Sequence, residues 1–130
     1  MIDFNISELI HRQIILDLTI RTFERDRKHL SNLKMHKALE DWYEVKIKEL
    51  QNDLRKTKSD LSKQGVKIQS ETKIDELITE FGILEKGNLL PRRYMNIALR
   101  NWVEEETRRV LGLPFRTMAD SIEIKKPLNE

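Results

Sequence analysis

Cysteine is absent from the 130 residues, which removes a disulfide framework, a thiol nucleophile and any cysteine-based zinc site. Proline and glycine number only three and four, so few positions punctuate the chain and long uninterrupted elements are expected. Long apolar runs are missing as well. Near the start, the run 14–16 is stopped by Asp17, too short for a membrane span or the apolar core of a signal peptide. Residues 1–8 carry two acids and no basic stretch, so no leader is expected. An excess of one charge is also lacking: 24 Lys and Arg stand against 22 Asp and Glu. The pI near 8.9 therefore rests on a net charge of +2 with both signs interspersed, not on a field that gathers polyanions. These absences predict a cytoplasmic protein with no membrane partner.

Charge of both signs is abundant. Charged residues make up 35% of the chain and hydrophobic residues 38%; roughly 25% charged is usual, and the surplus suits long helices with wetted faces. The length fits one domain, 1–130, able to bury a core without metal or disulfide support. A partly ordered tail is expected from about 115, where Pro114, Lys125, Lys126 and Pro127 follow Gly112.

The first 64 residues contain neither glycine nor proline. Leu9, Leu16, Ile20, Phe23 and Leu30 recur at helical intervals and predict a first helix over about 7–29, with Ser7 as N-cap and Glu8 in its first turn. Glu8 with Arg12, Asp17 with Arg21 and Glu24 with Lys28 lie four apart on its wet face. Ile10, Ile14, Ile15 and Leu18 widen its apolar face beyond one stripe, so either the C-terminal elements or a second subunit must cover it. A second amphipathic stretch, 32–64, carries Leu39, Trp42, Tyr43, Ile47, Leu50, Leu54 and Leu61. Ser31 and Asn32 offer the one break between the two. Without it, a single rod would run about 87 Å and require an oligomeric coiled coil. The apolar phase drifts along the second helix, which favours the antiparallel hairpin, and Gly65 supplies its left-handed terminus.

The segment at about 66–86 reads two ways. As a helix, Thr72 caps and Ile74, Leu77, Ile78 and Phe81 share a face. As a β-hairpin turning at Asp75 and Glu76, alternate residues from Val66 to Ile83 share one face, although Glu71 would then oppose Glu80. The hairpin is preferred. Lys86, Gly87 and Asn88 form a turn, Pro91 begins a last helix, and Leu99 and Trp102 pack it on the first two. Glu104 with Arg108 and Glu105 with Arg109 line its outer face. The expected fold is a helix-dominated α+β domain: two long antiparallel helices, a small β-hairpin or short helix, and a C-terminal helix. An all-α bundle is the alternative.

Chemistry-bearing patterns are few. His36 with Glu40 and Asp26 with His29 have helical ligand spacing, but in so charged a chain they read as solvated pairs, and no metal site is assigned. Arg92 and Arg93, at the expected N-terminus of the last helix, join Arg55, Lys56 and Lys63 as candidate anion or nucleic-acid contacts. Trp42, Tyr43, Tyr94 and Trp102 fall on or beside apolar faces and read as core. No phosphate loop, nucleophile elbow or paired-carboxylate pattern occurs, so no catalytic residue, cofactor or enzymatic activity is expected. The leading expectation is a non-enzymatic interaction protein, a homo-oligomer or adaptor, with Ile10, Ile14, Ile15 and Leu18 as candidate interface and itself or another protein as partner. The competing expectation is an accessory nucleic-acid-binding protein using the basic face.

Overall fold

The computed structural model describes residues 4–117. The tail expected from about 115 lies, from residue 118 onward, outside the described residues. Helix α1 spans Phe4–Asp26 and ends in a 3-10 turn at Arg27–His29; α2 spans His36–Lys63. Strands β1 (Val66–Lys73), β2 (Ile78–Glu85) and β3 (Asn88–Met95) form an antiparallel sheet in that order, and α3 spans Asn96–Leu111. The helix-dominated α+β reading holds, with one strand more than the expected hairpin.

The two long helices break where the sequence places the break. The Leu33 N–H donates to the Leu30 carbonyl at 2.9 Å, the His36 N–H to Leu33 at 3.2 Å, and buried Leu30 pins the turn from within. Two expected caps fail. Ser7 lies inside α1, and α2 starts at His36 without a side-chain cap, so Ser31 and Asn32 belong to the turn. The α2 terminus is as expected, with Gly65 at φ +73° supplying the left-handed residue after it.

The β1–β2 hairpin turns at 74–77, and the chemistry of that loop explains the register. Asp75 Oδ1 accepts from the N–H groups of Leu77 (2.7 Å) and Ile78 (2.9 Å), so the side chain does what a primed turn would have done with its backbone. The longer loop sets Thr72 opposite Glu80 and Glu71 opposite Phe81, and a bulge follows between Ser70 and Ile68. The expected opposition of Glu71 and Glu80 does not arise, because the two acids point to opposite faces.

The expected helix start at Pro91 is corrected. Lys86 and Gly87 both have positive φ, 48° and 87°, which is the type I′ geometry that turns a tight hairpin. Asn88–Met95 therefore returns as β3 along β2. Pro91 is tolerated there because β3 is an edge strand, where half the backbone N–H groups have no ladder partner. Helix α3 begins only at Asn96, a residue that ties the helix to the first hairpin. The Asn96 N–H donates to Leu77 O at 2.7 Å, its side-chain amide to Glu76 O at 3.0 Å, and its Oδ1 accepts from Thr79 at 2.6 Å. Gly112, at φ +77°, ends the helix.

Two core clusters meet on α1. Ile10, Ile14 and Ile15 pack with Leu61, Val66, Phe81, Ile83 and Leu99, and half-buried Leu18, Tyr94 and Trp102 close the edges. Leu16, Ile20 and Phe23 pack with Ile47 and Leu50 of α2, bordered by Trp42 and Tyr43. The wide apolar face of α1 is thus covered by the sheet and α3. Ile10, Ile14 and Ile15, at 0, 2 and 3% exposure, are core of the single chain, which corrects their assignment as an interface.

Phe23 is the largest side chain of the second cluster, 2% exposed and edge-on to Tyr43 at 5.3 Å. Phe23→Ala should cost about 3–5 kcal/mol in urea unfolding, the range for deleting a buried aromatic. Leu33→Ala, at an exposed position of the turn, should stay within about 0.5 kcal/mol.

Candidate functional site

Between α1, α3 and the segment 113–117 lies a cleft of about 590 Å³. Its α1 wall comes from Glu8, Leu9, Arg12 and Ile15, and its α3 wall from Trp102, Glu105, Glu106 and Arg109. Each set recurs at intervals of three, four and seven, which places it on one helical stripe. Leu9, Ile15, Trp102 and Phe115 make the slot apolar, and the charges gather toward its rim.

The charges on the α1–α3 seam are fixed by one another. Glu106 is 5% exposed, and its carboxylate accepts from Arg12 Nη1 (2.5 Å) and Nη2 (3.2 Å) and from Arg109 Nε (3.0 Å) and Nη2 (2.6 Å). Burial alone would raise its pKa, but the hydrogen bonds from Arg109 and Arg12 outweigh it and hold the carboxyl below its ordinary range. A carboxylate so saturated is a cross-tie between helices, not an available proton acceptor. Arg109 also reaches Asp53 of α2 at 4.0 Å.

His11 lies at the foot of the cleft, 8% exposed, with its ring edge-on to Trp102 at 5.0 Å and near Tyr94 at 6.2 Å. Desolvation, then the guanidinium groups of Arg92 and Arg12, push its pKa down to about 4. The imidazole is neutral at physiological pH and serves as an aromatic wall with a polar edge. The cleft is thus an apolar slot beside charges already paired with one another.

The basic candidates are not gathered into one surface. Arg92 and Arg93 sit in β3, so successive side chains point to opposite faces, and no helix N-terminus stands behind them. Arg92 turns inward, donating to Ser7 Oγ at 2.6 Å with its guanidinium 5.8 Å from the Tyr94 ring. Arg93 turns outward and pairs with Glu80 at 2.9 Å. Arg55 is hydrogen-bonded to Asn52 on α2, where Lys56 and Lys63 are exposed. His36 and Glu40 approach to 3.7 Å, and no group of three or more metal-ligating side chains occurs among the described residues.

Sequence reasoning misses Arg12, Glu106 and His11 as members of one site. Helical spacing pairs Arg12 with Glu8 and Arg109 with Glu105, whereas both guanidinium groups converge on Glu106. A signal is nonetheless present. Glu106 falls in the stripe of Leu99, Trp102, Val103 and Val110, and a charge inside an apolar stripe marks a buried ion pair.

The His11 shift fixes a pH dependence. Its folded pKa lies below the unfolded value of 6.5, so between pH 6.5 and 4 the unfolded chain binds the additional proton and stability falls as pH falls. The loss should total about 3 kcal/mol by pH 4, read from urea midpoints across the range. His11→Phe should flatten that window and leave the acid limb below about 4.5, where the stability that Glu106 contributes is lost as its lowered pKa is approached.

No curated protein and no solved structure matches the chain. Residues 1–115 match the family model described as YhjD protein, a span that takes in every secondary-structure element and the cleft as far as Phe115. The chain belongs to the YhjD protein family.

Proposed function

We propose that this chain is a cytoplasmic, non-enzymatic interaction protein, and that the α1–α3 cleft receives an apolar anchor from a protein partner. The observation that carries the reading is the cleft itself: an apolar slot of about 590 Å³ walled by Leu9, Ile15, Trp102 and Phe115. Interfaces draw most of their affinity from one or two aromatic or aliphatic anchors seated in such slots. The rim supports the same reading. Arg12 and Arg109 are already held on Glu106, so little side-chain ordering is left to oppose binding. This moves the interacting surface from Ile10 and Ile14, which the core consumes, to the opening beside them.

Photo-crosslinking tests it. With benzoylphenylalanine in place of Phe115, which is 37% exposed, one defined adduct should form in cells. Adduct mobility separates a second copy of the chain from a different protein. Leu9→Glu, at a half-buried wall position, should lower adduct yield at least tenfold, because seating an apolar anchor against a carboxylate costs more than about 1.4 kcal/mol. An adduct pattern indifferent to Leu9→Glu, or none at all with the fold intact by circular dichroism, would refute the reading.

A further inference from the structure

Two stretches of the chain carry a net charge of +4, residues 55–67 and residues 27–37, and only the second contains no acid. Residues 27–37, which run from the 3-10 turn through the connection into the first two residues of α2, hold Arg27, Lys28, Lys34 and Lys37 and no acid, whereas the whole chain nets +2. Everything outside this stretch is therefore net negative. None of the four cations has an ion pair among the described residues. Acids flank the stretch on both helices: Arg27 and Lys28 line a shallow groove with Glu24 and Glu44, and Glu40 pairs with His36.

The same stretch carries two apolar side chains that the fold leaves outside, flanking Lys34 in the sequence. Met35 is 71% and Leu33 48% exposed, while Leu30, between the helices, is 8% exposed. The hydrogen bonds of Leu33 and His36 to Leu30 and Leu33 hold the turn in this shape, so the exposed pair is presented by a fixed scaffold.

The geometry points to the α1–α2 turn as a peripheral docking site for an anionic lipid surface, with Met35 and Leu33 entering the headgroup layer and Arg27, Lys28, Lys34 and Lys37 facing the phosphates. Charge complementarity selects a polyanion, and the apolar pair selects a bilayer over a nucleic acid. A lipid interface can bury aliphatic side chains, whereas single strands reward aromatic platforms, which this turn lacks. The cytoplasmic leaflet carries the required negative potential within a Debye length of its surface. No helix among the described residues is long and apolar enough to cross a membrane. A surface contact needs none, so the proposal departs from the expectation of no membrane partner, which rested on the lack of a span or leader.

Co-sedimentation of the full chain with phosphatidylcholine vesicles, with and without phosphatidylglycerol, tests the inference. Binding should require the anionic lipid and weaken with salt. Lys34→Gln together with Lys37→Gln should lower the partition coefficient about 25-fold, near fivefold for each cation. Leu33→Ser with Met35→Ser should lower it severalfold at unchanged charge. Lys56→Gln with Lys63→Gln, on exposed α2 positions, should change it less than either pair. The substituted side chains are all exposed, so melting temperatures should stay put. Equal sedimentation with neutral and anionic vesicles at low salt would overturn the inference. So would a duplex-DNA titration that the lysine pair weakens, in a protein whose vesicle binding ignores Leu33 and Met35.

Discussion

The structure depends on the burial of α1 on more than one side. Ile10 and Ile14 face one way, Ile15 a second, and Leu16, Thr19, Ile20 and Phe23 a third, and all are buried. A helix with so wide an apolar surface cannot rest against a single partner helix. Helix α2 covers the side of Leu16, Ile20 and Phe23. The remaining sides need the later elements, so the sheet and α3 close over Ile10, Ile14 and Ile15. The strands alone would expose the apolar face that carries Val66, Phe81 and Ile83, which α1 buries. Each part of the fold thus supplies the surface another part lacks.

Polar ties between α1 and later elements set where those elements sit. Arg21 joins Asp17 on its own helix to Glu71 of β1 at 2.8 Å, Ser7 accepts from Arg92 of β3, and Arg12 meets Glu106 of α3. The Arg21 pairs are exposed and each contributes roughly 0.2–1 kcal/mol. Glu106 differs because its carboxylate is buried: with either arginine removed, part of a charge would be left without a partner in an apolar seam. The ion pair therefore acts more on the relative placement of α1 and α3 than on total stability, and that placement shapes the cleft.

The two proposed contact surfaces lie at opposite ends of α1. The cleft uses its N-terminal half, residues 5–15, and the basic turn comes after its C-terminal end. A 23-residue helix is about 34 Å long, so a chain resting by its turn on a charged surface would hold the cleft well clear of that surface. Occupants of the two sites would not compete. The hairpin of α1 and α2 is the spacer between them.

Local rules in the sequence determined the helices, their break near Ser31, and the ends at Gly65 and Gly112, because periodicity and left-handed glycine act within a few residues. They also showed that α1 had to be covered. The tertiary structure alone decided by what. Asn88–Met95 carries a helix-start proline as readily as an edge-strand proline, and pairing with β2 settled it. The same holds for Trp102, which borders the core and walls the cleft at once. Of the cleft, the stripe containing Glu106 was legible but its partner was not. Arg12 lies 94 residues away, and several nearer carboxylates and guanidinium groups had equally good helical spacing. Which of them meet depends on how α1 and α3 cross, and that crossing is fixed only when the core closes between them.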